Sequence, residues 1–161
     1  MYKLRPYQND AIDLARKSLA TGHKKPILAL PTGSGKTIIA IGIIESALEK
    51  SCRVMFIAPR RELIFQTERK FKQQGFDTGV IMAGVKPRPS APVQVASIDT
   101  INARCVRVNK NIGQPIMPLP LVDIVIVDEC HLYDTKSRSK IIDLLVADGA
   151  KVIGLTATPA K

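Results

Sequence analysis

A chain of 161 residues fits one folding unit with a core of its own rather than two. Lys and Arg number 24 against 14 Asp and Glu, a formal charge of +10 that attracts phosphate polyanions or anionic membrane surfaces without choosing between them. No apolar run approaches the roughly 18 residues of a spanning helix, and Met1 to Asp10 lack a secretory apolar stretch, so the expectation is an intracellular protein, cytoplasmic or nucleoid-associated, with no membrane partner.

The first predicted element is a helix over Pro6 to Ala20. Pro6 suits an opening turn, Ile12, Ala15 and Leu19 line one face, and Gly22 follows the end. Apolar runs then alternate with segments of helical spacing. Strands are predicted at Pro26–Leu30, Arg53–Ala58, Thr78–Met82, Val93–Ser97, Val122–Asp128 and Lys151–Leu155, and helices at Gly35–Lys50, Arg60–Gln73 and Lys136–Ala147. Val122 to Val127 is nearly continuous in aliphatic residues, the mark of a parallel strand covered on both faces. The alternation predicts an α/β domain of three layers with a mainly parallel central sheet, in which ligands bind at the carboxyl ends of the strands. Arg104 to Leu121, with three prolines and a glycine, is expected to be a loop.

The strongest local motif is "LPTGSGKT", Leu30 to Thr37, between a predicted strand and a predicted helix. Such a turn lets backbone amides of Pro31-Thr32-Gly33-Ser34-Gly35 surround a phosphate, while Lys36 adds positive charge and Thr37 a hydroxyl for Mg²⁺. It is a phosphate-binding loop of the Walker A type, with Leu30 where the pattern's first glycine would fall.

The segment "IVIVDECH", residues 124 to 131, ends the greasiest strand on two acids, a thiol and an imidazole. Three readings compete: a metal site on Cys130 and His131, a catalytic acid pair, or a polar loop capping a buried strand. Cys52, Cys105 and Cys130 lie far apart with no C-x-x-C pair, and His23 is the only other histidine, so neither a thiolate zinc site nor a disulfide framework is supported. The phosphate loop favours the acid pair. Asp128 then has the position and chemistry of a Mg²⁺ ligand, and Glu129 that of the base acting on water that attacks a γ-phosphate. Cys130 is read as a small packing residue.

The ordered set "LRPYQ" (4–8), "LPTGSGKT" (30–37), "APRREL" (58–63), "ASIDTI" (96–101), "VDECH" (127–131) and "LTATP" (155–159) resembles the first RecA-like domain of a superfamily 2 helicase, of the DECH-box kind and nearest the RadD-like and XPB-like groups. The motifs run through almost the whole chain, so the resemblance assigns residues 1–161 to one helicase ATP-binding domain, with ATP and Mg²⁺ as cofactors.

It also implies roles residue by residue. Gln8, with Arg5 beside it, meets the adenine edge, where an amide can both donate and accept. Pro59, Arg60 and Arg61 lie along nucleic-acid phosphates, as do Ser97 and Thr100, although Asp99 stands where related members often carry Gln. His131, Thr156 and Thr158 couple the state of the nucleotide to the nucleic acid. The implied function is that of a nucleic-acid-dependent ATPase, a DNA helicase or translocase more than an RNA one. Two alternatives stand beside it: the motor domain of a restriction or nuclease complex, and a nucleotide-responsive binding module that does not hydrolyse. The resemblance further implies a second RecA-like domain as partner, supplying an arginine finger, without which the domain alone would be nearly inactive as an ATPase.

Overall fold

The computed structural model describes residues 3–23, 25–30, 35–133 and 135–157. Helix α1 (Pro6–Ala20) precedes β1 (Ile27–Ala29), α2 (Lys36–Glu49), β2 (Val54–Ile57), α3 (Arg61–Gln73), β3 (Thr78–Ile81), β4 (Val93–Ala96), the short helix α4 (Ile98–Ile101), β5 (Ile124–Asp128), α5 (Lys136–Ala147) and β6 (Lys151–Thr156). The six strands form one sheet in the order β1-β6-β5-β2-β4-β3. Every pairing is parallel, with Val54 opposite Ile124 and Val93 and with Asp128 opposite Leu155.

Alternation within the buried strands explains the three layers. Val54, Phe56 and Ile126 point into one core with Ile12 and Ala15 of α1, Ile39 and Ile44 of α2, and Ile64 and Phe71 of α3. Met55, Ile57, Val125 and Val127 point the other way, against Ile101 of α4 and Ile141 and Leu145 of α5. A period of two on a strand apolar at every position delivers side chains to both faces, which is why β2 and β5 show no polar side. Phe71 locks the first core through edge-on contacts with Phe56 and Phe76, at centroid distances of 5.5 and 5.9 Å.

Helices α1 and α5 have the bounds read from the sequence, and the strands match apart from a residue or two at their ends. One assignment changes. The expected loop begins at Arg104, whereas the chain continues from α4 through a π-helical turn, Asn102–Val106. Ile98, Ile101 and Cys105 form an apolar helical face that buries against the second core, and this burial overrides the polar residues between them. After Val106 the chain is irregular as expected, apart from an isolated bridge between Asn109 and Gln114. Among the described residues no helix is long and apolar enough to cross a membrane.

Candidate active site

The carboxyl ends of β1, β5 and β6 bring the sequence-selected residues together. Pro31 to Ser34, the first part of the phosphate loop, and Thr158 lie outside the described residues. Gly35 opens α2 at φ +77°, a left-handed conformation that a glycine adopts without steric cost. A Cβ at Gly35 would stand 2.6 Å from the Gln8 side-chain nitrogen, so Gly35 and the amide of α1 are in direct apposition. Gln8 is 2 % exposed, and its Oε1 accepts from the Arg5 backbone N–H at 2.8 Å. The Gln8 backbone N–H donates in turn to the Arg5 carbonyl at 2.9 Å, and the two bonds hold the amide at the start of α1, against Gly35. The Arg5 side chain is exposed on the same rim.

Helix α2 has no acid in its first turn. Its first-turn N–H groups and partial positive charge therefore meet no carboxylate from the helix itself, which favours an anion from outside it. Lys36 and Thr37 sit in that turn, half-buried. The Lys36 ammonium contacts Glu129 Oε1 and lies 3.7 Å from Asp128 Oδ1. A cation and two acids from the ends of different elements thus share one part-buried cluster.

The acids are not equivalent. Burial pushes the Asp128 carboxyl above its ordinary range, and Lys36 pulls in the opposite direction without cancelling it. Asp128 Oδ1 also accepts from the Glu129 N–H at 3.0 Å. Glu129 has φ +50°, a conformation that costs a non-glycine residue energy and that turns its carboxylate back towards Lys36. A carboxylate that resists ionisation for want of solvent is a fitting partner for a cation.

A 3₁₀ turn, Cys130–Tyr133, follows. Within it His131 Nδ1 shares a hydrogen bond of 2.9 Å with Thr156 Oγ1 and lies 3.5 Å from Glu129 Oε2. Thr156 ends β6 and is 1 % exposed. Glu129, His131 and Thr156 therefore form a continuous polar path from the acid to the next strand. Cys130 packs on Gly154, where a Cβ would stand 2.9 Å from its sulfur. Burial raises the thiol above its usual range, as expected of a packing residue. Among the described residues no group of three or more His, Cys, Asp and Glu is placed to hold a metal.

The residues assigned to nucleic acid are arranged less openly. Pro59 and exposed Arg60 follow β2, and Arg60 enters α3 in extended conformation. Arg61 donates to the Ala83 carbonyl at 3.1 Å and stacks over Phe65. Ser97 caps α4 by accepting from the Thr100 N–H at 3.5 Å, and the Thr100 side chain is 7 % exposed. All five stand at the same edge of the sheet as the acids, with Ser97 and Thr100 engaged in shaping α4. Arg138 and Tyr133 escaped the sequence reading. Arg138 reaches Asp99, 39 positions away, and rests over the Tyr133 ring, and neither belongs to a local motif.

A sequence family described as type III restriction enzyme, res subunit, matches residues 1–161. The chain belongs to this family. Its type III restriction enzyme res-subunit domain has the fold and motif order of the amino-terminal RecA-like domain of superfamily 2 helicases. It is 28 % identical to the EcoKI endonuclease subunit, a type I restriction enzyme of Escherichia coli K12, over 80 % of this chain and 11 % of that protein. It is 27 % identical to the ATP-dependent DNA helicase Hel308 of Aeropyrum pernix, over 82 % of this chain and 18 % of that protein. The helicase domain of Pyrococcus furiosus Hef superposes with a TM-score of 0.73 at 26 % identity, covering 98 % of this chain and 33 % of that one. The chain thus spans less than a fifth of these two relatives' length.

Proposed function

We propose that this chain binds Mg-ATP at the carboxyl ends of its strands and serves as the ATP-hydrolysing half of a nucleic-acid motor, with DNA as the track. The observation that bears most weight is the convergence of Lys36, Asp128 and Glu129 at the amino end of α2, joined through His131 to Thr156. Family membership supports the same reading, as does the likeness to a protein named an ATP-dependent DNA helicase.

The donor set fits a magnesium ion. Mg²⁺ takes one or two carboxylates, several waters and phosphate oxygens, and not an all-protein cage. Asp128 and the Thr37 hydroxyl would hold it, and it would neutralise charge between the phosphates.

The chain's own groups then divide the work. Lys36 exchanges Glu129 for phosphate oxygens and offsets their charge. Glu129, released, accepts a proton from the water whose oxygen bonds to the γ-phosphorus as the bond to the ADP oxygen breaks. Gln8, capped and fixed, offers its amide to the base, with Arg5 nearby. His131 and Thr156 relay the position of Glu129 to β6, and Thr158 extends that relay. Arg60 and Arg61, with Pro59, and Ser97 with Thr100, line the phosphates of the strand. A second RecA-like domain closes over the nucleotide and supplies an arginine, a contribution of about 10³- to 10⁵-fold in rate.

The motor domain of a restriction complex is the second reading, favoured by the likeness to the EcoKI subunit. Both share this site and differ in whether strands separate. A sensor that never hydrolyses has no use for Glu129 beside Asp128. The test is nucleic-acid-stimulated ATP hydrolysis by the intact protein. Glu129→Gln should keep nucleotide affinity and lower the stimulated rate by roughly 10²- to 10⁴-fold. Stimulation surviving the substitution would make Glu129 a structural acid and overturn the hydrolytic reading.

A further inference from the structure

Arg138 stands in the first turn of α5, a helix end whose partial positive charge disfavours a cation. What holds it there is a set of three contacts with two other segments. Nη1 donates to the Leu132 carbonyl at 3.2 Å, bracing the 3₁₀ turn that carries His131. Nη2 lies 3.5 Å from Asp99 Oδ2, on α4. The guanidinium carbon lies 5.7 Å from the centroid of the Tyr133 ring. Tyr133 is itself 3 % exposed, with its hydroxyl buried and without a hydrogen-bond partner among the described residues. The ring is therefore a fixed apolar surface against which the guanidinium plane rests.

Asp99 is the odd residue of its motif. A carboxylate on α4 would repel a phosphate, and its side chain is three-quarters exposed. An exposed pair of this kind contributes little to stability. Its effect is geometric: one planar fork joins the end of β4 to the turn after β5, two segments with no backbone link between them.

Resting on the function proposed above, we infer that Arg138 is a positioning residue that transmits nucleic-acid contact at α4 to the turn bearing Glu129 and His131, with Asp99 as its anchor. Strand binding at Ser97 and Arg60 shifts or steadies α4; Arg138 carries that displacement to Leu132, and the turn sets Glu129. Energetic coupling of this sort travels through rigid packed groups with defined contacts, and single changes along it alter coupling without touching either ligand.

The test is ATP hydrolysis by the intact protein as a function of added DNA, with a single-stranded oligodeoxynucleotide and a duplex of the same sequence as probes. Arg138→Gln and Asp99→Asn should each leave hydrolysis without DNA near the parent value. Each should raise the DNA concentration for half-maximal stimulation by roughly threefold to tenfold. The double variant should be no worse than the more severe single one, because both changes break one link. Arg138→Lys, which keeps the charge but not the fork, should fall between parent and Arg138→Gln. Additive losses in the double variant, or basal and stimulated rates falling in parallel with melting temperature, would overturn the inference. Unchanged stimulation in both single variants would overturn it and leave the motor reading standing. A parent enzyme that DNA does not stimulate would remove the motor reading, and this inference with it.

Discussion

The two ends of the same six strands are opposite in character. At the amino end, α1, α2 and the starts of β5 and β6 enclose a cavity of about 550 Å³ lined by Ile12, Ala15, Leu19, Ile43, Ile124 and Ile153, with Arg16, Lys50 and Lys151 among its walls. At the carboxyl end stand Gln8, Lys36, Asp128, Glu129, His131 and Thr156, in a more polar setting. Size and apolarity would select the first as a ligand site. The chemistry selects the second. Helices in a parallel α/β sheet present their amino ends, with unpaired N–H groups, to the carboxyl ends of the strands. The opposite edge faces helix carboxyl ends, whose partial negative charge disfavours phosphate. On the function proposed, converging charge locates the site and concavity does not.

That contrast can be broken most forcefully at Lys36. Lys36→Ala should weaken Mg-ADP binding by about 2 to 5 kcal/mol, at least roughly thirtyfold, while the melting temperature stays near that of the parent, since among the described residues the ammonium pairs with Asp128 and Glu129 and not with the core. Equal affinities by calorimetry would show that the cluster at the carboxyl end is not a phosphate site.

An intermediate effect is expected at Gly154, which packs against Cys130 of the 3₁₀ turn. An added methyl would meet Cys130 Sγ at 2.9 Å, Cys130 Cβ at 3.1 Å and Ile27 Cγ1 at 3.3 Å. Gly154→Ala should therefore cost about 1 to 3 kcal/mol in denaturant unfolding, as overpacking does. Adding Cys130→Ala should restore part of the loss, because it removes the sulfur but not the Cβ. No recovery in the double variant would mean that the turn, and not the sulfur, resists the methyl.

The smallest effect belongs to the amino end. Ile43→Val, in the cavity wall and 6 % exposed, should cost about 1 kcal/mol of stability and leave Mg-ADP affinity unchanged. A changed affinity would couple the two ends and weaken the contrast between them.

The sequence made much of this legible for physical reasons. Apolar runs such as Val122 to Val127 are unambiguous because a strand buried on both faces admits no polar interruption. Pro6 and Gly22 bracket α1 clearly. Lys36, Asp128 and Glu129 could be named in advance because phosphate and cation chemistry restricts the residue types allowed after a strand. Three features could not be read. The π-helical turn at Asn102–Val106 owes its form to burial of Cys105, a tertiary fact. The Gln8 amide lies against Gly35 only because α1 folds back over the start of α2. Arg138 and Asp99 are 39 positions apart, and neither neighbourhood hints at the other.

On the function proposed, the nucleotide occupies the carboxyl ends of the strands. Amide resonances of this domain titrated with Mg-ADP test it most directly. The largest shifts should fall on Gly35 to Ile39, Asp128 to His131 and Thr156, with Ile12, Ile43 and Ile153 little changed. Shifts concentrated on those three isoleucines, with Lys36 and Glu129 unmoved, would place the ligand in the amino-end cavity and contradict it.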